Sequence, residues 1–204
     1  MTIQAVIFDL DGVIVSTDQY HYQGWKQLAD EEGIYFDQQI NHRLRGVSRM
    51  KSLDILLEGS CLTYSEQQKL ELAERKNRYY QKLLNNLTPS DILPGVMDIL
   101  DELKKLKIKV AIASSSKNTP LILKQINLAN HFDAIVDGND IQNSKPDPEV
   151  FLTAAKRLDV KPDECLVIED ADAGVEAALG AGMKCFAVGN AQQYPAADIK
   201  KLLG

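Results

Sequence analysis

Short apolar runs alternate along the chain with segments of helical periodicity. Ala5-Val6-Ile7-Phe8, Ile108 to Ala113 (apart from Lys109), Ala134-Ile135-Val136, Cys165 to Ile168 and Cys185 to Val188 are apolar on both faces. Strands of a parallel sheet covered by helices must read this way. Between them, Val96, Ile99, Leu100, Leu103 and Leu106 form one helical stripe, and Phe151, Ala154, Ala155 and Leu158 form another. Thr119 before Pro120 reads as a cap followed by the first helical position. The alternation predicts an α/β fold, a doubly wound parallel sheet with a Rossmann-like core.

Residues 16–87 break the alternation. They hold no good strand and are rich in Gln, Glu, Lys and Arg. Leu70, Ala73, Asn77, Tyr80, Leu84 and Leu87 keep a spacing of three or four, which predicts one long helix, and an earlier helix carries Trp25, Leu28 and Ala29. A simple crossover between parallel strands needs only about a dozen residues. The segment therefore reads as an inserted α-helical cap domain, 16–87, on an α/β core made of 1–15 and 88–204. Hinges would fall near Val15-Ser16-Thr17 and Thr88-Pro89; a longer crossover of the same domain is the alternative.

Composition narrows the partners. With 29 acidic against 23 basic residues and a net charge of −6, the chain does not look like a nucleic-acid binder, which works by neutralising phosphates. A small anionic substrate needs only a local cluster of cations. Cys61, Cys165 and Cys185 lack CxxC spacing and read as buried free thiols, not as disulfides or zinc ligands. The N-terminus runs straight into a strand without a leader pattern, and no apolar run approaches the roughly 18 residues a membrane span needs. A cytoplasmic monomer without membrane or nucleic-acid partners is expected.

Ligands of open α/β sheets bind beyond the carboxyl ends of the strands. Asp9-Leu10-Asp11-Gly12 follows the first strand, Ser114-Ser115-Ser116-Lys117-Asn118 the second, and Glu169-Asp170 the fourth. Lys145, in Ser144-Lys145-Pro146-Asp147-Pro148, is expected to open the helix after the third. Singly, these are ordinary turns, caps and solvated loops. Jointly, four carboxylates at one sheet edge repel unless a cation neutralises them. Oxygen ligands without His or Cys favour a hard ion, and Mg²⁺ is the usual partner of carboxylates that handle phosphate. In an extended Asp9-Leu10-Asp11 both carboxylates point the same way, so one can attack phosphorus while the other moves a proton.

Phe-Asp-Leu-Asp-Gly-Val, a Ser after the second strand, a Lys at a helix start and a terminal Glu-Asp resemble the four motifs of the haloacid dehalogenase superfamily, over nearly the whole chain. The resemblance implies Asp9 as nucleophile and Asp11 as general acid/base. It also implies Mg²⁺ held by the Asp9 carboxylate, the Asp11 backbone carbonyl and Asp170, with Glu169 supporting the site. Ser114 and Lys145 would bind the transferring phosphoryl group.

Gly46-Val47-Ser48-Arg49 with Ser52-Leu53, Arg75-Lys76-Asn77, Tyr20-His21, Trp25 and the run Ala113 to Asn118 are similar to the β-phosphoglucomutase subfamily. That likeness implies interconversion of β-D-glucose 1-phosphate and glucose 6-phosphate through an aspartyl phosphate and β-glucose 1,6-bisphosphate. Gly46, Val47, Ser48, Trp25, Lys76 and Ser115 would line the substrate site. Arg49 would hold the non-transferring phosphate, Ser116, Lys117 and Asn118 would contact the substrate, and His21 and Lys76 would engage Asp11. Read from the residues alone, Arg49 and His21 could equally be solvated or packing groups.

Two departures stand out. Val15-Ser16 occupies the place of a more usual Thr-Asp, and the chain ends at Gly204, short of a final strand and helix found in family members. A sugar-phosphate phosphatase is the alternative activity, since its parts list is nearly the same. A phosphoaspartate receiver domain shares the acids, hydroxyl and lysine but places its phosphorylated Asp after the third strand and has no cap.

Overall fold

The computed structural model describes residues 2–45 and 47–188. Strands β1 (Ala5–Phe8), β2 (Lys109–Ala113), β3 (Ala134–Val136), β4 (Cys165–Glu169) and β5 (Lys184–Ala187) form one parallel sheet in the order β3-β2-β1-β4-β5. Central β1 pairs with both β2 and β4, Ile7 lying opposite Ala111 and Val167. Its neighbours run away from it in opposite chain directions, so the strand order switches beside β1, and that is where open α/β sheets form a crevice.

Alternation along each strand supplies two faces. Val6, Phe8, Val110, Ile112, Leu166 and Ile168 join one apolar cluster with α5 (Val96–Lys105) and α6 (Thr119–Gln125). Ala5, Ile7, Ala111, Ala113, Val136 and Val167 join another with α7 (Glu149–Leu158) and α8 (Asp172–Gly180). Helix α5 buries Val96, Ile99, Leu100 and Leu103, each contributing about 1.5–3 kcal/mol when taken fully from water.

Several sequence expectations need correction. Leu106 is 52% exposed, because α5 has already ended and Lys107 turns the chain at φ 57°. Asn118, not Thr119, occupies the cap position of α6, so Pro120 sits one place deeper in its first turn. Lys145 does not open a helix; it lies in the loop ahead of α7, which starts at Glu149. The three cysteines are free, but Cys61 is exposed and only Cys165 is fully buried.

Helices α1 (Asp18–Glu32), α2 (Gln38–His42), α3 (Arg49–Leu57) and α4 (Glu66–Leu84) form a separate layer over the strand ends. Ser65 and Gln68 make a reciprocal capping box that starts α4. Trp25, Leu28, Ala29, Leu53, Leu56, Leu72 and Ala73 form this layer's own core. The far end of α4 behaves differently: Tyr80 and Leu84, with Leu87 just beyond the helix, belong to the sheet's cluster. Leu70, expected on the buried stripe, is 50% exposed because it faces the cleft between the layers. The two chain crossings run side by side. Val15 bridges Ile92, and the amide of Leu93 donates to the Ile14 carbonyl at 2.9 Å.

Candidate active site

The carboxyl ends of β1, β2 and β4 and the facing helices enclose a cleft of about 1160 Å³. On the sheet side its floor is acidic. Asp9 leaves β1, Glu169 ends β4 and Asp170 follows. Each offers a carboxylate oxygen within 4.8 Å of the others. Gly12 permits the approach: at φ +83° it turns the chain, and a Cβ there would lie 2.2 Å from Asp170 Oδ2. Gly174 does the same at the start of α8, where a Cβ would lie 2.0 Å from the Glu169 carboxyl.

Lys145 crosses from its loop to donate to Asp9 Oδ1 at 2.5 Å and to Glu169 Oε2 at 2.8 Å. The second Glu169 oxygen accepts the amides of Asp170 and Ala171, both at 3.1 Å. Burial works to lower the basicity of Lys145, but the charges of Asp9 and Glu169 outweigh it and hold the ammonium protonated. Burial pushes the Asp9 carboxyl well above the usual range; Lys145 opposes this, while Glu169 and Asp170 add to it. Burial, with Glu169's charge second, raises Asp170 to about 7. Lys145, and Arg45 bonded to Asp170 Oδ2 at 2.8 Å, still leave the three carboxylates short of positive charge, and this oxygen-only set suits a hard divalent cation.

Asp11 is the exception to the expected gathering of four carboxylates. Its side chain turns away from the other three, Oδ1 accepting the Thr17 amide at 2.7 Å and Oδ2 the Thr17 hydroxyl at 2.6 Å. The cause is the turn at Gly12, which folds residues 13–17 back over the end of β1 instead of continuing an extended segment. Burial first, then the charge of Asp18, raises Asp11 to about 6.

The β2 loop lies beside these acids. Ser114 Oγ accepts the Ser116 amide at 3.2 Å, and Ser116 Oγ accepts the Asn118 amide at 3.2 Å. Ser115 Oγ is buried and has no hydrogen-bond partner among the described residues. Asn118 is occupied across the cleft, donating to Asn77 Oδ1 and accepting from Gln81 Nε2, each at 2.9 Å. In this arrangement its amide links the two layers instead of facing open space.

The helical wall is cationic. Arg49 opens α3, and Ser48 caps that helix by accepting the Lys51 amide at 3.2 Å. Val47, Ser48 and Arg49 all line the cleft; Gly46 lies outside the described residues. Lys76 is buried between the rings of Trp25 and Tyr80, 4.6 Å from each centroid, and bonds His21 Nδ1 at 3.0 Å. If Lys76 donates, the His21 proton sits on Nε2, which faces Asp11 Oδ2 at 3.7 Å. Burial, followed by the charge of Lys76, depresses His21 well below the usual range; burial, followed by Arg49, does the same to Lys76. Trp25 itself is 2% exposed, a support for Lys76 more than an open surface.

Of the sequence candidates, Asp9, Asp11, His21, Trp25, Val47, Ser48, Arg49, Lys76, Ser114 to Asn118, Lys145, Glu169 and Asp170 all border this one cleft. Sequence reading missed Gln81 and Arg45. Arg45 donates to Asp170 Oδ2 at 2.8 Å and pairs with Asp18 at 3.1 Å. Its charge, four residues before Arg49, is the signal that could have found it; an exposed helical Gln such as Gln81 carries none.

Fold and site together define a phosphoryl-handling member of a known class: the chain belongs to the haloacid dehalogenase-like hydrolase family, whose model matches residues 6–188. Among particular proteins it is 48% identical, over 97% of this chain and 88% of the relative, to β-phosphoglucomutase of Bacillus subtilis. It is 34% identical, over 89% of this chain and 83% of the relative, to the phosphorylated carbohydrates phosphatase of Thermotoga maritima. The crystal structure of β-phosphoglucomutase from Clostridium difficile superposes with a TM-score of 0.87 at 44% identity, covering 92% of this chain and 85% of that one. Among the described residues no helix is long and apolar enough to cross a membrane.

Proposed function

We propose that the chain is a β-phosphoglucomutase, interconverting β-D-glucose 1-phosphate and glucose 6-phosphate through an aspartyl phosphate and bound β-glucose 1,6-bisphosphate. The observation that carries this is the 48% identity to the Bacillus subtilis enzyme across 97% of the chain. The cleft adds a physical reason. Ser114 and Lys145 stand by Asp9 on one side, while Arg49, Ser116 and Lys117 offer a second set of donors to the same space. A bisphosphate needs two such places.

Asp9 attacks the phosphorus of the bisphosphate, its carboxylate oxygen forms the new P–O bond, and the bond to the sugar oxygen breaks. Asp11 gives that oxygen its proton. In the reverse step Asp11 takes a proton from the sugar hydroxyl as it attacks the phosphate on Asp9. Lys145, already on Asp9, and the Ser114 and Ser115 hydroxyls stabilise the transferring oxygens. Mg²⁺ fits the acidic floor, held by Asp9, Asp170 and the Asp11 backbone carbonyl with Glu169 in support, and when bound it supplies charge neutralisation at the phosphoryl group.

Residues 16–87 act as a cap that moves about residues 15–17 and 88–89 and brings His21 and Lys76 to Asp11. Arg49 grips the phosphate that is not being transferred. The reading places the enzyme in the cytoplasm, where charged sugar phosphates are made and used, as a monomer whose cleft is built from one chain.

A phosphatase is the second reading, favoured by the 34% identity to the Thermotoga maritima enzyme. An acceptor-partition assay separates the two. Enzyme carrying labelled phosphate on Asp9 is offered each glucose phosphate in water, and the label is counted. Transfer to sugar is expected to dominate; release as inorganic phosphate at every sugar concentration would select the phosphatase.

A further inference from the structure

Arg45 spans the cleft. It belongs to the helical layer, where it pairs with Asp18 at the start of α1 at 3.1 Å. The same guanidinium donates to Asp170 Oδ2 at 2.8 Å on the sheet side. The two partners are unlike: the Asp170 side chain is 7% exposed, whereas that of Asp18 is 42% exposed. Arg45 therefore covers the one floor carboxylate that Lys145, bonded to Asp9 and Glu169, does not reach by hydrogen bond. Asp170 also belongs to the set whose oxygens converge within 4.8 Å.

We propose that Arg45 is a positioning residue that competes with the divalent cation for Asp170, so that the protein's own guanidinium holds the helical layer against the sheet until a cation takes that carboxylate. The inference rests on the proposed metal role of Asp170. Two cations sharing one carboxylate repel each other strongly where water is scarce. The Asp18 contact gives Arg45 a place to stay once it lets go. Linkage makes the effect reciprocal: whatever factor Arg45 takes from cation affinity, the cation takes from the Arg45–Asp170 contact.

The test is calorimetric titration of Mg²⁺ alone into the unphosphorylated full chain, without sugar. Arg45→Gln and Arg45→Ala are each expected to tighten the Mg²⁺ Kd by at least about fivefold, the low end of coupling between linked sites. Arg45→Lys, which keeps the charge, is expected to stay within about twofold of wild type on the same grounds. Arg43→Ala is the control, since it removes an equal charge from the same turn but pairs with Glu58 instead. It is expected to leave the Kd unchanged. Equal tightening by Arg43→Ala would mean a general field effect and would overturn the proposal, as would an unchanged or weaker Kd in both Arg45 variants. Absence of Mg²⁺ binding to wild type would overturn the metal reading itself, and this inference with it.

Discussion

Thr17 holds Asp11 by both of its carboxylate oxygens, through its amide at 2.7 Å and its hydroxyl at 2.6 Å. Because that hydroxyl donates to an ionised Asp11, its remaining contact, Tyr80 Oη at 2.8 Å, must be a donor to it. A residue of α4 is thereby tied to the proposed acid/base. Thr17→Val removes the hydroxyl at nearly constant volume and leaves the buried Tyr80 hydroxyl unpartnered. Stability is expected to fall by about 1–3 kcal/mol, read as a shift in the urea midpoint. With Asp11 less restrained, water should reach the phosphoenzyme more productively. Its decay in buffer is expected to rise roughly fivefold, the rate equivalent of about 1 kcal/mol. Slower decay would show that the clasp organises Asp11 for reaction.

Arg49 is expected to act on transfer to sugar and not on the phosphoenzyme alone. Arg49→Ala should lower mutase kcat/KM by at least about 10²-fold, through loss of a charge-assisted contact that also orients substrate. Decay of labelled enzyme without sugar should change less than about threefold. A parallel fall in both rates would assign Arg49 to stability or to the acidic floor.

The strands are legible in the sequence because both faces of the sheet are covered, which leaves runs such as Val6-Ile7-Phe8 with no polar position. The acidic floor is legible for a related reason: residues that end strands at the switch point must meet. What escapes is contact across the cleft. Asn118 reads as a substrate ligand because it lies in a Ser-Ser-Ser-Lys-Asn run, and nothing in that run announces that its amide also bonds Asn77 and Gln81. Those partners lie 41 and 37 residues away along the chain and leave no local pattern. The direction of the Asp11 carboxylate escapes for a similar reason, since it depends on a left-handed turn one residue later. Leu106 and Leu70 show the limit of periodicity, which marks a stripe but not where it stops being covered.

The close approach of α8 to Glu169 makes Gly174 a sensitive point. Gly174→Ala must displace the Glu169 carboxyl, because its Cβ would overlap it at 2.0 Å. Overpacking of this kind is expected to cost about 1–3 kcal/mol and to weaken Mg²⁺ binding, measured by calorimetry. Excess chelator should abolish turnover in the wild type. Full activity in chelator would remove the metal from the mechanism.

Asp140 offers a pH test away from the floor. Its oxygens accept from Arg157 Nη2 at 2.6 Å and Nη1 at 3.1 Å, and that bonding, against a smaller effect of burial, holds its carboxyl below the usual range. A depressed carboxylate stabilises the fold above its unfolded value and loses that contribution as pH falls through its folded value. The pair is largely exposed, so Asp140→Asn is expected to cost only about 0.5–1 kcal/mol at neutral pH. The gap in urea midpoint between variant and wild type should close only below about pH 4. A gap that persists in acid would mean that the pair acts through packing.

The antiparallel bridge between Val15 and Ile92 puts the outgoing and returning chain at one spot on the sheet. A backbone joined at one such doorway passes little torque, but the same layer is also fastened where Tyr80, Leu84 and Leu87 enter the sheet's apolar cluster. Contacts bridging the cleft, from Asn118 with Gln81 to Arg45 with Asp170, then add to that anchorage in fixing how the two layers face each other.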